Sequence, residues 1–272
     1  MITSGTERAL NYLILIVFAA FALAPIVTVL AAALSPQSAA AAPGILGLHP
    51  ENFVDAWTEG EFSRYLRTSL LVSVTVVSVA VVASILSGFA FGTMRFAGSR
   101  ALFYLFLLGI MVPTEAIVVP LFYDLRDLGL TNTLWAVALP QIAQSIAFGT
   151  YWMRAYFRTS PPSLIEAATL DGASPRRVLW SILVPIGRPA VMTLTVLAFM
   201  WTWNEFLIPL VMSPNGEFRT APLALAIFKG QHVQATALLA AAAVLVALPV
   251  VILYLFAQRS FIRGMLEGAV RE

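Results

Sequence analysis

The stretch SPPSLIEAATLDGASPRRVLWSILVPIGRP, Ser160–Pro189, is the most polar part of a chain that is otherwise strongly apolar. It holds five prolines, three arginines and two acidic residues, whereas 60% of the 272 residues are hydrophobic and only 11% are charged. A soluble domain usually has about a quarter of its residues charged. The chain is therefore an integral membrane protein, and this stretch interrupts its apolar segments.

Residues with capping and turn preferences divide the stretch into two short helices. Ser163 and Glu166 fit a capping box, in which each side chain accepts a hydrogen bond from the other residue's backbone amide. Gly172 allows a turn after the first helix. Ser174 and Pro175 then predict the cap and the first residue of the second helix. On these residues alone, a docking segment for a partner and a well-capped connecting loop are equally supported.

Six segments are long and apolar enough to cross a bilayer, which takes roughly 20 mostly apolar residues. They are residues 10–34, 68–91, 101–122, 134–157, 189–212 and 235–257. The first resembles a secretory signal, since Arg8 precedes it and small residues follow it. Its roughly 25 apolar residues, however, exceed the 7–15 of a signal h-region. We therefore expect an uncleaved anchor and an all-α integral membrane protein with six transmembrane helices.

The distribution of basic residues predicts which helix ends face the cytoplasm. With the N-terminus inside, 11 of the 16 basic residues are cytoplasmic and 5 are outside, as the positive-inside rule favours. The outer five are Arg64, Arg67, Arg126, Arg219 and Lys229. This orientation places both termini and Ser160–Pro189 in the cytoplasm. In the first outer loop, the acidic and aromatic stretch Glu51–Ser69 predicts either a short amphipathic helix on the membrane surface or a partner contact.

Several kinds of catalytic site lack the residues that they require. The chain has no cysteine and only two histidines, His49 and His232, which excludes thiolate and His-Glu-x-x-His metal sites. A P-loop needs Gly-Lys followed by Ser or Thr, and the only lysine, Lys229, precedes its glycine. We expect no enzymatic activity, metal, bound cofactor or nucleic-acid partner. Six spans without a clear internal repeat also argue against the alternative of an ion-gradient-driven secondary transporter.

The residues EAATLDGASPRRVLWSILVP, Glu166–Pro185, resemble the EAA loop of ABC importer permeases. That pattern is E-A-A, three residues, G, nine residues and I-x-L-P, and this chain departs from it only at Val184. Three other stretches are similar to the MalG-like permeases of carbohydrate importers. They are GLTNTLWAVALP (Gly129–Pro140), WTWNEFLIPL (Trp201–Leu210) and QRSFIRGMLEGAVRE (Gln258–Glu272).

The resemblance implies a type I ABC importer with the MetI-like permease fold. In such an importer a second, MalF-like permease subunit completes the pore, and two ATPase subunits bind ATP and Mg²⁺. An extracytoplasmic sugar-binding protein delivers the solute. This chain would be surrounded by membrane lipid in the bacterial cytoplasmic (inner) membrane. We expect residues 1–67 to form an anchor helix and outer loop, and residues 68–272 a five-helix core with a cytoplasmic coupling loop at 158–188.

The resemblance also implies that the EAA loop inserts a coupling helix into a cleft of the ATPase. The residues predicted for this coupling are Ser163, Glu166, Ala167, Ala168, Asp171, Gly172, Ala173 and Pro185. The family's C-terminal tail can also reach the ATPase. The matching residues here are Gly264–Glu272, which end in Arg-Glu where Lys-Gly is expected. The last outer loop, Ser213–Val233, would face the binding protein or be an ordinary re-entry loop.

Two carboxylates inside predicted spans indicate a candidate solute path. Charge at membrane depth is costly and usually faces a cavity or a partner. The predicted path residues are Glu115, Trp201, Asn204 and Glu205, because aromatic faces beside hydrogen-bonding groups suit a sugar. The alternatives are interfacial anchoring of the tryptophans, pairing of Glu115 with the other subunit, and a main sugar site in that subunit. A non-sugar solute such as a glycerol phosphate also remains an alternative.

Overall fold

The computed structural model describes residues 5–36, 48–231 and 236–269, and every regular element among them is helical. The first seven helices are α1 (Gly5–Ala33), α2 (Glu51–Glu59), α3 (Phe62–Thr93), α4 (Ser99–Met111), α5 (Thr114–Asp127), α6 (Leu134–Thr159) and α7 (Pro162–Leu170). The others are α8 (Pro175–Val178), α9 (Val184–Ile186), α10 (Arg188–Asn204), α11 (Leu207–Met212), α12 (Ala221–Gln231) and α13 (Thr236–Ala269), and a π-helical turn, Leu179–Leu183, joins α8 to α9. The all-α prediction is confirmed. The predicted segments Ser213–Val233 and Gly264–Glu272 each extend beyond the described residues.

The chain divides into two compact units, one of Met1–Ser63 with Ala224–Leu248 and one of Arg64–Leu223 with Pro249–Glu272. In the first unit, the buried side chain of Asn52 joins α2 to the end of α1. Its Nδ2 donates hydrogen bonds to the carbonyl oxygens of Ala33 and Ser35 at 2.9 and 2.8 Å. These acceptors lie where a helix end leaves carbonyl groups without intrahelical partners. The short helix predicted in the first outer loop is present as α2.

Three of the described helices are long and apolar enough to cross a membrane, namely Thr6–Ala33, Phe62–Thr93 and Thr236–Gln258. Two pairs of helices pass the same criterion only when each pair is taken together. The pair Ser99–Met111 and Thr114–Asp127 is bent by 98°, and the pair Pro175–Ile186 and Arg188–Asn204 by 80°. By length and composition, the described residues thus supply up to five spans, against the six that the sequence predicts.

The third predicted span, residues 101–122, is broken rather than continuous. Its first part, α4, ends at Met111, and α5 begins at Thr114. Between them Val112 has an extended backbone, as a residue before proline prefers, and Pro113 has no amide hydrogen to continue the helix. The proline thus accounts for the break.

The fifth predicted span, residues 189–212, is also broken. Helix α10 ends at Asn204, and Glu205 and Phe206 separate it from α11. The fourth predicted span is the continuous helix α6, which has 26 residues but is not among the helices that pass the apolar criterion. Polar side chains in its middle, described below, lower its hydropathy.

Glycines bring α3 and α6 into close contact in the second unit. A Cβ atom on Gly88 would lie 2.5 Å from the Met153 Cβ, and one on Gly92 would lie 2.9 Å from the Phe157 Cβ. Small residues allow membrane helices to approach in this way. A residue much later in the chain contacts the start of α3: the amide of Ala221 donates a hydrogen bond to Oγ of the buried Ser69 at 2.7 Å.

Two apolar clusters lie in the second unit. One packs α3, α5, α6 and α11 together, and its buried members are Val72, Val76, Val118, Leu125, Ala136, Val137, Ala138, Ile142, Ile208 and Met212. The other, which we call the loop cluster, packs the ends of α3 and α6 against the segment from α7 to α10. Its buried members are Ile85, Phe89, Met153, Phe157, Ala168, Val178, Leu179, Leu183 and Leu194. The loop cluster therefore fixes the polar stretch Ser160–Pro189 to the helices that precede it.

Candidate functional site

The break after α4, at Val112 and Pro113, and the break after α10, at Glu205, lie beside one cavity of about 700 Å³ in the second unit. All four residues predicted for the solute path line it, namely Glu115, Trp201, Asn204 and Glu205. The remaining lining residues are Gly109, Ile110, Val112, Pro113, Thr114, Gln141, Gln144, Ser145, Phe148, Leu197, Met200 and Thr202. The breaks after α4 and α10 therefore bring together side chains that are about 90 residues apart in the sequence.

The Glu205 carboxylate holds the start of α11. Its Oε1 accepts hydrogen bonds from the amides of Leu207 and Ile208 at 2.9 and 3.0 Å. The first amides of a helix have no intrahelical partner, and a negative charge is favourable at this positive end. Glu205 therefore stabilises the helix break at which it lines the cavity.

The other two polar path residues are both exposed. Glu115 lies in the first turn of α5, where the helix dipole also favours a carboxylate. Asn204 lies in the last turn of α10, and its Nδ2 donates to the Met200 carbonyl oxygen at 2.7 Å. The Asn204 Oδ1 can accept a hydrogen bond from a ligand, and the second hydrogen of Nδ2 can donate one.

The two tryptophans of the WTWNEF segment differ in their surroundings. Trp201 lines the cavity, is 48% exposed and packs edge-on against Phe148 with ring centroids 4.8 Å apart. Trp203 is only 2% exposed and stacks on Phe199 at 5.4 Å. Trp203 is therefore a packing residue, whereas Trp201 offers an exposed aromatic surface beside the cavity's hydrogen-bonding groups.

Polar residues of α6 also line the cavity, and the sequence reading missed them. Gln141 is 4% exposed, and its Nε2 donates to the Val137 carbonyl oxygen at 2.8 Å, while its Oε1 has no partner among the described residues. Gln144 donates to the hydroxyl of Thr114 across the cavity wall. Gln141, Gln144 and Ser145 stand at positions i, i+3 and i+4 of the helix, which places all three on one helical face. That spacing inside an apolar span was the available signal.

The cavity lining is largely apolar and carries several polar and aromatic side chains, and the ionisable side chains among its described residues are acidic. Among the described residues that line it are two carboxylates, three side-chain amides, three hydroxyls and two aromatic rings, with no lysine or arginine. Amide and hydroxyl groups can exchange hydrogen bonds with a polyhydroxylated solute, and aromatic faces can cover its apolar surfaces. The arrangement suits a neutral or cationic polar molecule better than an anion.

A second functional candidate is the exposed side of α7 in the polar stretch. Helix α7 buries Ala168 in the loop cluster, with Ile165 packed beside it. Its opposite side is exposed, including Glu166, Ala167 and Leu170, the last of which is 89% exposed. Of the other residues predicted for coupling, Asp171, Gly172, Ser163 and Pro185 are exposed and Ala173 is half-buried. The helix is thus anchored on one side and presents an acidic and apolar surface on the other.

The predicted capping box at the start of α7 is wrong. The helix begins at Pro162 with Pro161 in the cap position, and Ser163 lies inside the first turn without a capping hydrogen bond. Proline is favoured at the first helical position because its fixed φ suits the helix and its missing amide hydrogen is not needed there. Pro162 therefore starts the helix before Ser163 can cap it.

The rest of the predicted turn is confirmed. Gly172 has a φ of +76°, a left-handed conformation in which glycine carries no steric penalty. Ser174 caps α8, since its Oγ accepts a hydrogen bond from the Arg177 amide at 3.4 Å, and Pro175 is the first residue of that helix. The stretch thus consists of α7, a turn at Gly172, and a second helical segment that runs from α8 through the π-helical turn to α9.

Comparison with known families gives one family model that matches residues 80–267, described as "Binding-protein-dependent transport system inner membrane component". The chain is 29% identical over 272 residues to the trehalose transport system permease protein SugB of Mycobacterium tuberculosis. That match covers 98% of this chain and 99% of SugB. It is also 31% identical over 276 residues to the arabinooligosaccharides transport system permease protein AraQ of Halalkalibacterium halodurans, in a match that covers 98% of each chain.

A solved structure shares the fold. A chain in the crystal structure of a bacterial ABC transporter involved in the import of the acidic polysaccharide alginate matches with a TM-score of 0.78 and 22% sequence identity. The match covers 96% of this chain and 99% of that chain. The permease fold expected from the sequence is therefore confirmed.

Proposed function

The chain belongs to the family of binding-protein-dependent transport system inner membrane components, and we propose that it is the permease subunit that forms half of the translocation pore of an ATP-driven sugar importer. In this proposal it crosses the bacterial cytoplasmic membrane six times, with both termini in the cytoplasm. A second permease subunit completes the pore. Two ATPase subunits carry ATP and Mg²⁺, and an extracytoplasmic binding protein delivers the sugar.

The observation that carries the pore assignment is the cavity at the two helix breaks. Irregular backbone at membrane depth is tolerated where it lines a cavity or is buried in protein, and the breaks after α4 and after α10 lie beside the same cavity. Discontinuous helices of this kind commonly form substrate sites in transporters. The exposed Trp201 and the Oδ1 of Asn204 then supply an aromatic face and a hydrogen-bond acceptor for the solute.

The coupling role is supported by the way α7 is held. The loop cluster connects α7, through Ala168, to Leu179 and Leu183 of the π-helical turn and to Leu194 of α10. Helix α10 ends at Asn204, beside the cavity. A displacement of α7 by an ATPase would therefore be passed through packed side chains to the helix that carries Trp201 and Asn204, because packed cores transmit strain. Glu166, Ala167 and Asp171 would meet the ATPase directly.

The carbohydrate class is supported by the relatives and by the charge of the cavity. SugB and AraQ are permeases of a trehalose and an arabinooligosaccharide transport system. A glycerol phosphate or another anion would meet Glu115 and Glu205 without a lysine or arginine among the described lining residues. Like charges that approach each other repel. We therefore favour an uncharged sugar over an anionic solute.

Reconstitution of the complete transporter in proteoliposomes tests the proposal. The chain, co-expressed with its partner subunits, should co-purify with an ATPase and should take up a neutral oligosaccharide only when ATP is hydrolysed. Trehalose and arabinooligosaccharides are the first solutes to test, with glycerol 3-phosphate as the anionic comparison. Uptake that continues without ATP hydrolysis, or a preparation that lacks an ATPase subunit, would contradict the proposal.

A further inference from the structure

A second large cleft of the second unit, of about 960 Å³, is basic rather than acidic. Four arginines line it: Arg95 in the α3–α4 connection, Arg100 in the first turn of α4, and Arg154 and Arg158 at the end of α6. The only acidic residue among its described lining residues is Glu166 of α7. This cleft, which we call the arginine cleft, therefore carries more positive charge than its own residues can neutralise.

Among the described residues, none of the four arginines of the arginine cleft forms an ion pair. Arg154 is fixed in place, since its Nε donates to the Phe91 carbonyl oxygen at 3.2 Å and its guanidinium lies 3.8 Å from the centre of the Phe103 ring. Arg154 and Arg158 are one helical turn apart, and like charges at this spacing repel each other. An anion bound in the cleft would relieve that repulsion.

The surface beside the arginine cleft is apolar. Tyr104 of α4 lines the cleft, and Leu105 and Leu108 on the same helix are both more than half exposed. A ligand that fills the cleft and covers this surface has an anionic head and an apolar tail. Anionic phospholipids have this construction, and guanidinium groups bind phosphate oxygens in bidentate geometry. A free phosphate would satisfy only the head of such a site.

From this combination of charge and apolar surface, we propose that the arginine cleft binds the headgroup phosphate of an anionic phospholipid, with its acyl chains along α4. Basic pockets next to membrane helices recognise anionic headgroups in this way. Pro162, Ile165 and Glu166 of α7 also line the cleft. The bound lipid would therefore lie against α7, and Glu166 borders both the cleft and the side of α7 that we assign to the ATPase.

Native mass spectrometry of the purified full-length chain, exchanged from detergent with added lipid, tests this site. The probes are phosphatidylglycerol and phosphatidylcholine with identical acyl chains, and inorganic phosphate without lipid. We expect retention of phosphatidylglycerol over phosphatidylcholine. Each arginine near an anionic headgroup contributes about 1 kcal/mol, or about fivefold in affinity. The double variant Arg95→Gln/Arg158→Gln should therefore bind phosphatidylglycerol roughly 25-fold more weakly.

The matched control is Arg176→Gln/Arg177→Gln, which removes the same charge from exposed residues of α8 outside the cleft. It should bind phosphatidylglycerol as the unchanged chain does. An equal loss in this control would show a general charge effect and overturn the site. Displacement of the lipid by millimolar inorganic phosphate would identify a free-phosphate site instead. Displacement by the ATPase subunit would identify a protein-docking surface, and either result would overturn the lipid proposal.

Discussion

Tyr156 of α6 donates a hydrogen bond from its hydroxyl to the carbonyl oxygen of Leu183, the last residue of the π-helical turn, at 2.9 Å. One helical turn earlier, the indole nitrogen of Trp152 donates to the Ala190 carbonyl oxygen at 3.0 Å. The two acceptors lie on either side of Gly187, where the chain bends by 80° between α9 and α10. Two aromatic residues of α6 thus hold both sides of the bend that joins the stretch Ser160–Pro189 to α10, the helix that ends beside the cavity.

Replacing Tyr156 with phenylalanine should weaken this bend without removing its packing. The change deletes one hydrogen bond, which typically contributes about 1 kcal/mol. We expect the free energy of unfolding to fall by about that amount, measured by thermal or denaturant unfolding of the purified complex. Tyr151→Phe is the control, because Tyr151 is an exposed tyrosine of the same helix. Equal stability of the two variants would contradict a role for the Tyr156 hydroxyl.

Replacing Gly187 with alanine should destabilise the bend through a steric clash. Gly187 has a φ of −83°, so its backbone tolerates alanine, but the new Cβ would lie 2.4 Å from the Tyr156 Cζ. Overpacking of this kind costs about 1–3 kcal/mol. Combining the change with Tyr156→Leu should restore part of that loss in a double-mutant cycle of unfolding free energies. Strict additivity of the two changes would show that the ring is not the obstacle.

Ser163 and Ser174, near the starts of α7 and α8, should differ in their contribution to stability. Ser174→Ala removes the cap of α8 and should lower the unfolding free energy by about 1 kcal/mol or somewhat less, since the bond is long and exposed. Ser163→Ala should change it by no more than about 0.5 kcal/mol, because Ser163 makes no cap. A larger loss of unfolding free energy in Ser163→Ala than in Ser174→Ala, measured under identical conditions, would instead support a capping box at Ser163.

Two substitutions of Glu205 should separate its structural role from its charge. Glu205→Gln keeps an oxygen that can accept from the amides of Leu207 and Ile208, whereas Glu205→Ala removes the acceptor and should cost about 1 kcal/mol in stability. We expect Glu205→Gln to alter the uptake kinetics of the reconstituted transporter while the ATPase stays bound. Uptake kinetics unchanged from those of the original chain would leave Glu205 with the capping role alone.

Glu166→Ala should abolish transport by uncoupling the ATPase. The side chain lies on the exposed side of α7, so its removal should leave the membrane-inserted protein folded while ATPase binding weakens. Sugar-stimulated ATP hydrolysis and co-purification of the ATPase are the two measurements. Thr169→Ala, a change of another exposed residue on the same helix, is the control. Normal stimulated hydrolysis in the Glu166 variant would contradict its coupling role.

The local backbone conformation of the stretch Ser160–Pro189 could be predicted from the sequence. The turn at Gly172 and the cap at Ser174 depend on preferences of single residues, and both are found where expected. The start of α7 was misplaced because two local signals compete there, and the proline position prevails over the serine–glutamate pair. Predictions of this kind fail by a residue or two, because helix ends depend on nearly equivalent local choices.

The cavity could be predicted only in part. The unusual carboxylates and tryptophans within apolar spans identified Glu115, Trp201, Asn204 and Glu205, which line the same cavity. The size of the bends did not follow from the sequence, because Pro113 indicates a break but the 98° angle depends on packing against other helices. The burial of Trp203 against Phe199 also did not follow from the sequence, because the contacts of a ring depend on how the helices pack.

The hydrogen bond between Ala221 and Ser69 has a consequence for biosynthesis. Its donor is synthesised 152 residues after its acceptor, so a nascent chain inserts α3 long before the partner of the serine hydroxyl has been translated. The contacts of Gly88 with Met153 can form earlier, when α6 enters the membrane. The order of translation therefore divides assembly into an early step, in which α3 pairs with α6, and a late step, in which Ala221 bonds to Ser69 near the start of α3. A chain terminated before residue 221 would complete the first step and not the second.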